Sequence, residues 1–235
     1  MAQSTKPTLK ITRVSALHQL DGLVDVAAEA FIDDPLFALI VPGRHENPES
    51  YRAMWQMHLR EEYGNTGTVI LAARDQESGE ALAFGIWGRH GTSDVARSWH
   101  GDTWNMQFTR IRSMWDVFSS LILPQRTKGF SVGDVVEVVS GLKHAETLYP
   151  AERWRLCWLA VSPKCQRTGI GRRLVQWGLD RCDEEGVPAV LESSIPAQPV
   201  YEKMGFHEIG RMPFNKGKSS QAVMLRPAEE TKKEV

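Results

Sequence analysis

The sequence has almost no excess of charge of either sign, because 28 lysines and arginines face 29 aspartates and glutamates in 235 residues. A nucleic-acid backbone or an anionic membrane surface is held largely by an excess of positive charge. We therefore expect neither nucleic acid nor membrane as a partner. The balance does not decide between small molecules and proteins.

Cysteine is also scarce. Cys157, Cys165 and Cys182 form no CxxC pair and lie in no cluster with histidines. An odd and scattered set of this kind argues against both a disulfide framework and a zinc site. We expect reduced thiols in structural positions, and no metal.

Long apolar runs are missing as well. No stretch approaches the roughly 18 consecutive apolar residues that a membrane-spanning helix needs. The N-terminal residues 1–13 are polar and contain no apolar core of signal-peptide length. These absences predict a soluble, cytoplasmic protein.

The first 65 residues show the patterns of one strand and two helices. Residues 8–14 alternate as in a short strand, and apolar residues then recur at helical spacing until Asp33. Asn47 and Pro48 predict a helix cap followed by the first helical residue. The second helix is expected to end near Gly64.

Two β-rich runs follow, 68–73 and 81–88, and the turn-forming residues between them predict an antiparallel hairpin. Beyond the hairpin the periodicity weakens, although residues 109–123 have apolar side chains at helical spacing. Tryptophans are dense in this region, which favours either an acceptor-site wall or an ordinary packing interface. They are Trp99, Trp104 and Trp115.

The last third of the chain is the most regular. The patterns predict, in order, a strand over 155–161, a helix over 169–185 capped by Gly186, a strand over 189–193, a short helix over 198–203, and strands near 206–212 and 219–225.

A glycine-containing loop joins the first of these strands to the long helix. The unpaired N–H groups at a helix start carry the positive end of the helix dipole and attract anions, usually phosphate. Gly169 and Gly171 remove side chains that would keep a diphosphate away from these groups. The loop is neither GxxxxGK[ST] nor GxGxxG, so mononucleotide triphosphate and dinucleotide sites are disfavoured.

The stretch QRTGIG at 166–171 resembles the Q/R-x-x-G-x-G/A signature of the GNAT superfamily of acetyl-CoA-dependent N-acetyltransferases. LAVSP at 159–163 precedes it as the family's fourth strand does. VYEKMGFHEIG at 200–210 is similar to the family's closing element. The resemblance is strong over 153–212, looser over 8–88, and says little about 90–150.

The resemblance implies an α/β fold with a mixed, mostly antiparallel sheet, a splay between strands 4 and 5, and helices on both faces. It implies one N-acetyltransferase domain over residues 1–235, with a partly helical insertion at about 90–150 between strands 3 and 4. The acyl donor would be acetyl-CoA.

The family's acetyl-CoA site carries over to two segments of this chain. Leu159, Ala160 and Val161 would hold the pantetheine arm and the thioester through backbone hydrogen bonds. The loop would bind the diphosphate through its backbone N–H groups. The loop residues concerned are Gln166, Arg167, Thr168, Gly169, Ile170 and Gly171, with Arg172 nearby.

The resemblance also suggests how protons move. Tyr201 lies where many members place the general acid, and a phenol of pKa about 10 can protonate a thiolate of pKa about 8.5. Its alternative role is that of a core tyrosine. Glu192, beside the splay, is our first choice for the general base, although a substrate-anchoring or solvent-facing glutamate fits equally.

Other candidates for the acceptor side are weaker. Asp33 and Asp34 could bind a cationic substrate, but a helix-terminating turn explains them as well. Some family members rely on water alone for deprotonation. His144 could act as base only if its segment folds over the site.

We expect direct transfer of acetyl to a primary amine of a small molecule in a ternary complex. Cys165 lies in the glycine loop and not beside a histidine, so nothing nominates a covalent intermediate. Two alternatives stay open: a protein lysine or N-terminal acetyltransferase, and an acyl-CoA-binding module without turnover. A homodimer is compatible with the sequence.

Overall fold

The computed structural model describes residues 8–101 and 129–229, and elements are numbered within these two stretches. The strands are β1 (Leu9–Arg13), β2 (Thr68–Asp75), β3 (Ala81–His90), β4 (Arg153–Val161), β5 (Ala189–Ser193), β6 (His207–Phe214) and β7 (Ser219–Arg226). The helices are α1 (Asp21–Ala30), α2 (Pro35–Ile40), α3 (Pro48–Gly64), α4 (Asp94–Trp99), α5 (Val132–Glu146), α6 (Ile170–Glu185) and α7 (Gln198–Glu202).

The described strands form one seven-stranded sheet in the order β1-β2-β3-β4-β5-β7-β6. β4 and β5 run parallel, and the other neighbouring pairs are antiparallel. The mixed, mostly antiparallel sheet expected from the sequence is therefore confirmed.

Both faces of the sheet are covered by helices, because strand side chains alternate between two apolar clusters. In β2, Ile70 and Ala72 join the cluster that contains residues of α1, α2, α3 and α5. Val69 and Leu71 join the opposite cluster, which contains residues of α6 and α7. The near-continuous burial of β2 and β3 follows from this two-sided packing.

Helix α6 lies close to the sheet because Gly178 allows it. The indole ring of Trp87, a fully buried β3 residue, lies against the Cα of Gly178, and its Nε1 donates to the Leu174 carbonyl at 3.2 Å. A Cβ at position 178 would overlap that ring. The glycine thus sets the distance between α6 and β3.

A buried arginine, Arg89, anchors the end of β3, just before α4. Arg89 donates from Nε to Glu185 at 2.7 Å and from Nη2 to Glu152 at 2.9 Å. The other oxygen of Glu185 accepts from the indole nitrogens of Trp99 and Trp154, at 2.9 and 3.1 Å. Trp99 is therefore a packing residue and does not line an acceptor site.

Most of the predicted helices and strands are confirmed. The strand predicted over 189–193 has the same first and last residues in the structure. Asn47 precedes α3 as expected, but its side chain donates to the Gly43 carbonyl at 3.0 Å and does not cap the helix. The helix predicted over 109–123, with Trp104 and Trp115, lies outside the described residues. The single domain over 1–235, with its insertion at about 90–150, stays a prediction.

Within the two described stretches, none of the helices is both long enough and apolar enough to span a membrane.

Replacement of Gly178 by alanine should lower stability although alanine favours helices, because overpacking a dense core costs about 1–3 kcal/mol. Urea unfolding measures the free-energy change. Gly133 in α5 is the matched control, since a Cβ there has nothing within 4 Å. Gly133→Ala should be neutral or slightly stabilising. Equal stability of the two variants would contradict the packing account.

Candidate active site

Strands β4 and β5 separate soon after they meet. Their parallel pairing runs from Trp154 opposite Ala189 to Leu156 opposite Leu191, and ends there. Beyond that point β4 continues to Val161 with β3 alone as its partner, while β5 pairs with β7. The separation confirms the expected splay and leaves one edge of β4 open for an extended ligand to pair with.

A β-bulge lies at the start of the separation. Trp87 is opposite Leu156 and Ile86 is opposite Trp158, so Cys157 has no residue opposite it on β3. The extra residue breaks the alternation of side chains along β4. As a result Cys157 and Trp158, although consecutive, both pack on the face of α1, α2 and α3.

The loop that follows β4 is held in shape by its own side chains. Gln166 donates from Nε2 to the Val161 carbonyl at 3.3 Å, and Thr168 donates from its hydroxyl to the Cys165 carbonyl at 2.6 Å. Arg167 and Gly169 both have positive φ, +62° and +88°. The loop is thus a defined turn into α6.

The two glycines of the loop are required for different reasons. A Cβ on Gly169 would meet nothing within 4 Å, so its left-handed φ, and not crowding, favours glycine there. A Cβ on Gly171 would lie 3.3 Å from the Val161 side chain, so this glycine lets α6 pack on β4. The sequence interpretation, which explained both glycines by ligand access alone, was incomplete.

The start of α6 is strongly electropositive. No side chain caps its first turn, and no acidic residue lies in that turn. Arg172 and Arg173 are exposed there, where the positive end of the helix dipole disfavours cations. An anion bound at this point would relieve the repulsion and satisfy the free N–H groups.

A cavity of about 440 Å³ lies at the splay. One side of it is an aromatic wall made of Phe31, Phe37, Trp55 and Trp158. The Trp55 ring centroid lies 5.1 Å from that of Phe31, 4.8 Å from that of Phe37, and 5.3 Å from that of Trp158. Trp55 and Phe37 are buried, so the partly exposed rings of Phe31 and Trp158 supply the apolar surface that a ligand can reach.

The cavity passes through the sheet at the splay. The aromatic wall belongs to the cluster on the α3 face, whereas Leu156, Leu191 and Tyr201 belong to the cluster on the α6 face. All of them line the same cavity. A ligand group placed between β4 and β5 can therefore reach both faces.

An ion pair lies across the point of separation. Arg155 of β4 donates from Nη2 to Glu192 of β5 at 2.7 Å and from Nε at 3.3 Å. Their side chains are 20% and 6% exposed. Burial is the largest single effect and opposes the charge on Arg155, but the charge and hydrogen bonding of Glu192, with contributions from Cys157 and Tyr149, together outweigh it and raise the pKa of the guanidinium. The predicted base Glu192 thus lines the cavity as half of a buried pair.

Tyr201, the predicted acid, lies on α7 and lines the cavity. It is 7% exposed, and its ring packs on Phe206 with centroids 5.8 Å apart. Burial raises the pKa of its phenol, so the hydroxyl stays protonated at neutral pH. A protonated phenol at the splay can donate to a group placed there.

Of the other three candidate residues, Asp34 lines the cavity, whereas Asp33 and His144 do not. Asp34 lines the cavity and caps α2, its Oδ1 accepting from the Leu36 N–H at 2.8 Å, and burial raises its pKa. Asp33 is exposed and does not line the cavity. His144, on α5, is exposed and does not line it either.

Besides Arg155, sequence reasoning missed two titratable residues of the cavity, His58 and Glu62. Both lie on α3, four residues apart, so they share one helix face. The His58 Nε2 and Glu62 Oε1 atoms are 3.7 Å apart. The sequence signal for these two residues was their four-residue spacing along a helix whose apolar residues mark the buried face.

The cavity also contains a thiol. Burial, reinforced by the charge of Glu62, raises the pKa of Cys157 to about 12. A thiol in that state is protonated at neutral pH and is a poor nucleophile. Among the described residues, no group of three or more His, Cys, Asp or Glu side chains could hold a metal ion.

Comparisons with known proteins find acetyltransferases that are similar to this chain in sequence. Residues 141–222 fit the family model described as an acetyltransferase (GNAT) domain. An acetyltransferase of Stachybotrys chartarum is 21% identical over 206 residues, which cover 88% of this chain and 84% of the relative. An uncharacterized N-acetyltransferase of Schizosaccharomyces pombe is 43% identical over 54 residues, 23% of this chain and 22% of the relative.

Solved structures share the fold. One from Corynebacterium glutamicum, described as histone acetyltransferase HPA2 and related acetyltransferase, has a TM-score of 0.61 at 21% identity and covers 95% of this chain and 99% of that one. A mosquito protein described as arylalkylamine N-acetyltransferase like 5b has a TM-score of 0.50 at 14% identity and covers 94% of this chain and 100% of that one. The fold, including the splay, is that of GNAT acetyltransferases. Residues 141–222, which include the glycine loop, match the GNAT acetyltransferase domain, and most of the chain is similar to an acetyltransferase.

Replacement of Arg155 by methionine should destabilise the protein by about 3 kcal/mol, because it leaves Glu192 buried without its partner. Urea unfolding at neutral pH measures the loss. The double variant Arg155→Met, Glu192→Leu removes both charges and should recover most of that stability. An unaffected single variant, or a double variant no better than it, would contradict the pairing.

Proposed function

We propose that the protein transfers acetyl from acetyl-CoA directly to the primary amine of a small molecule with a largely apolar body. The observation that carries this proposal is the cavity that passes through the splay from Tyr201 to the aromatic wall. Its volume, about 440 Å³, suits one small ligand. Donor and acceptor would meet there in a ternary complex.

Acetyl-CoA would lie along the open edge of β4 and across the start of α6. Leu159, Ala160 and Val161 would pair with the pantetheine arm, since this part of β4 has no partner on β5. The diphosphate would bind the loop from Gln166 to Arg172. The uncapped first turn and its exposed arginines support that placement.

Tyr201 would protonate the CoA thiolate as the thioester breaks, because it lines the cavity and stays protonated. Glu192 stays a prediction as base, but its two bonds to Arg155 favour a role in holding the splay. Asp34 would contribute to the acceptor side, since it lines the cavity. Asp33 is exposed and fits such a role less well.

Transfer without a covalent intermediate is favoured by the state of the thiols. Cys157 lines the cavity but is protonated at neutral pH. Cys165 lies in the turn before α6 and does not line the cavity. The amine would therefore attack the thioester itself.

The fold does not select the acceptor, because the two structural neighbours are described by different acceptors, histones and arylalkylamines. The lining of the cavity supports an apolar amine. An aromatic or aliphatic body would pack on the partly exposed rings of Phe31 and Trp158 and bury apolar surface there.

Thiol release from acetyl-CoA tests the proposal with three acceptors: 2-phenylethylamine, the polar amine spermidine, and a lysine-containing peptide. We expect the highest kcat/KM with 2-phenylethylamine. Turnover with the peptide alone would establish a protein acetyltransferase. Acetyl-CoA binding by calorimetry without turnover on any acceptor would establish a binding module.

Replacement of Tyr201 by phenylalanine should lower kcat by about 100-fold, because general acid catalysis commonly contributes that much. The acetyl-CoA dissociation constant should stay within a factor of about two, since only a hydroxyl is removed. Tyr51→Phe is the matched control: Tyr51 is 1% exposed and does not line the cavity. Unchanged turnover in Tyr201→Phe would remove the acid assignment.

Replacement of Gly169 by alanine should weaken acetyl-CoA binding about tenfold, since the left-handed conformation costs about 1–2 kcal/mol for an L-residue. Calorimetry measures the dissociation constant. Gly79 in the β2–β3 turn has a similar φ, +73°, and equally open surroundings. Gly79→Ala should lose comparable stability but bind acetyl-CoA normally. Equal affinities of both variants would argue against the loop as the diphosphate site.

A further inference from the structure

Helix α3 places one carboxyl group at the aromatic wall. Glu62 and His58 both line the cavity, and the rings of His58 and Trp158 have centroids 4.9 Å apart. The side chain of Glu62 is 13% exposed. Glu62 therefore combines burial, a carboxylate and a position beside the surface that would hold an apolar amine.

The groups around Glu62 come from four elements. On α3 itself, Asn65 donates to its Oε2 at 3.5 Å, and Glu61 lies on the outer side with a side chain 53% exposed. On β4, Arg155, Cys157 and Trp158 also line the cavity. On β5, Glu192 binds Arg155. Asp34, from the start of α2, lines the same cavity.

No strong cationic partner is committed to Glu62 among the described residues. Arg155, whose charge influences it, makes its ion pair with Glu192. His58 is the neighbour at 3.7 Å, and its Nε2 is buried without a hydrogen-bond partner in the described part of the chain. The carboxylate is thus available to a cation that enters the cavity.

The protonation states agree with that availability. Burial raises the pKa of Glu62, opposed by Asn65, Arg155 and Trp158. Burial lowers the pKa of His58, opposed by Glu61. At neutral pH His58 is therefore neutral, and the carboxylate of Glu62 has a higher proton affinity than an exposed glutamate.

We propose that Glu62 binds the ammonium group of the acceptor and takes its proton before the amine attacks. This inference rests on the proposed acetyl transfer. The partly exposed ring of Trp158 would add cation–π attraction to the same ammonium before it loses its charge. Neutral His58 keeps the second position beside the carboxylate free of competing charge.

Acetyl transfer with Glu62 as base conserves protons and electron pairs. One proton passes from R–NH3⁺ to the Glu62 carboxylate, which gives R–NH2 and the carboxylic acid. The nitrogen lone pair forms the C–N bond, the C–S bond breaks, and the electron pair leaves on sulfur. The amide nitrogen loses a second proton and the thiolate gains one, supplied through Tyr201. Glu62 then releases its proton to solvent, so one proton is released per turnover.

The test compares Glu62→Gln with the parent protein on the amine that the parent acetylates best. The variant should lose about 100-fold in kcat, because it removes the base. The rise of kcat/KM with pH that Glu62 ionisation produces in the parent should disappear. Acetyl-CoA affinity should not change. Glu49→Gln, an exposed glutamate in the first turn of the same helix, should match the parent in every measurement.

Two further measurements separate catalysis from structure. Because burial disfavours the Glu62 charge, Glu62→Gln should unfold at a higher temperature than the parent at pH 7, whereas a structural glutamate would give a lower one. Glu62→Asp keeps a carboxylate and should retain the dependence on pH with a reduced kcat. This variant keeps the inference testable if Glu62→Gln folds poorly.

The outcomes distinguish the inference from the proposed function. A parent protein that acetylates amines, together with a Glu62→Gln variant of normal kcat and pH dependence, would overturn the role of Glu62 and leave acetyl transfer intact. A parent protein that binds acetyl-CoA but releases no CoA with any amine would overturn the proposed function, and this inference with it.

Discussion

The ion pair between Arg155 and Glu192 fixes the place where β4 and β5 stop being neighbours. Parallel strands held by hydrogen bonds do not part without cause, because each lost bond leaves two backbone groups unpaired. Here the charges join the two strands beside their last pair, Leu156 and Leu191, and the strands diverge beyond it. The open edge of β4, the cavity through the sheet and the access of Tyr201 to it all depend on that divergence.

The two faces of the sheet depend on different kinds of information in the sequence. On the α6 face the features are local: a turn with positive φ, an uncapped helix start and a glycine that permits close packing all lie within 166–171. On the α3 face the features are tertiary, since the aromatic wall joins residues from the first helices to Trp158. Local features can be recognised in one sequence, whereas tertiary ones require the packing itself.

That difference explains what could be predicted. Periodicity and turn residues located the hairpin, α3 and the last strands, and the glycine loop indicated the class of protein. The same patterns could not show that Glu62 faces the cavity, because Glu62 and Arg155 are far apart in the chain and only the packing of α3 brings them together. Glu192 was correctly placed beside the splay, but its pairing with Arg155 was invisible, since one strand gives no register for the next.

The bulge at Cys157 decides which side chains of β4 line the cavity, because it sets the face of the sheet on which Trp158 lies. If the bulge were straightened at the same strand length, β4 would return to strict alternation, and Trp158 would turn from the aromatic wall toward α6. The segment that follows would keep its fold but lose its match to the rest of the wall. Deletion of Cys157 would have the opposite result, because Trp158 would then follow Leu156 directly and stay on the aromatic wall. The unpaired residue is therefore what lets β4 keep Trp158 on the wall at its present length.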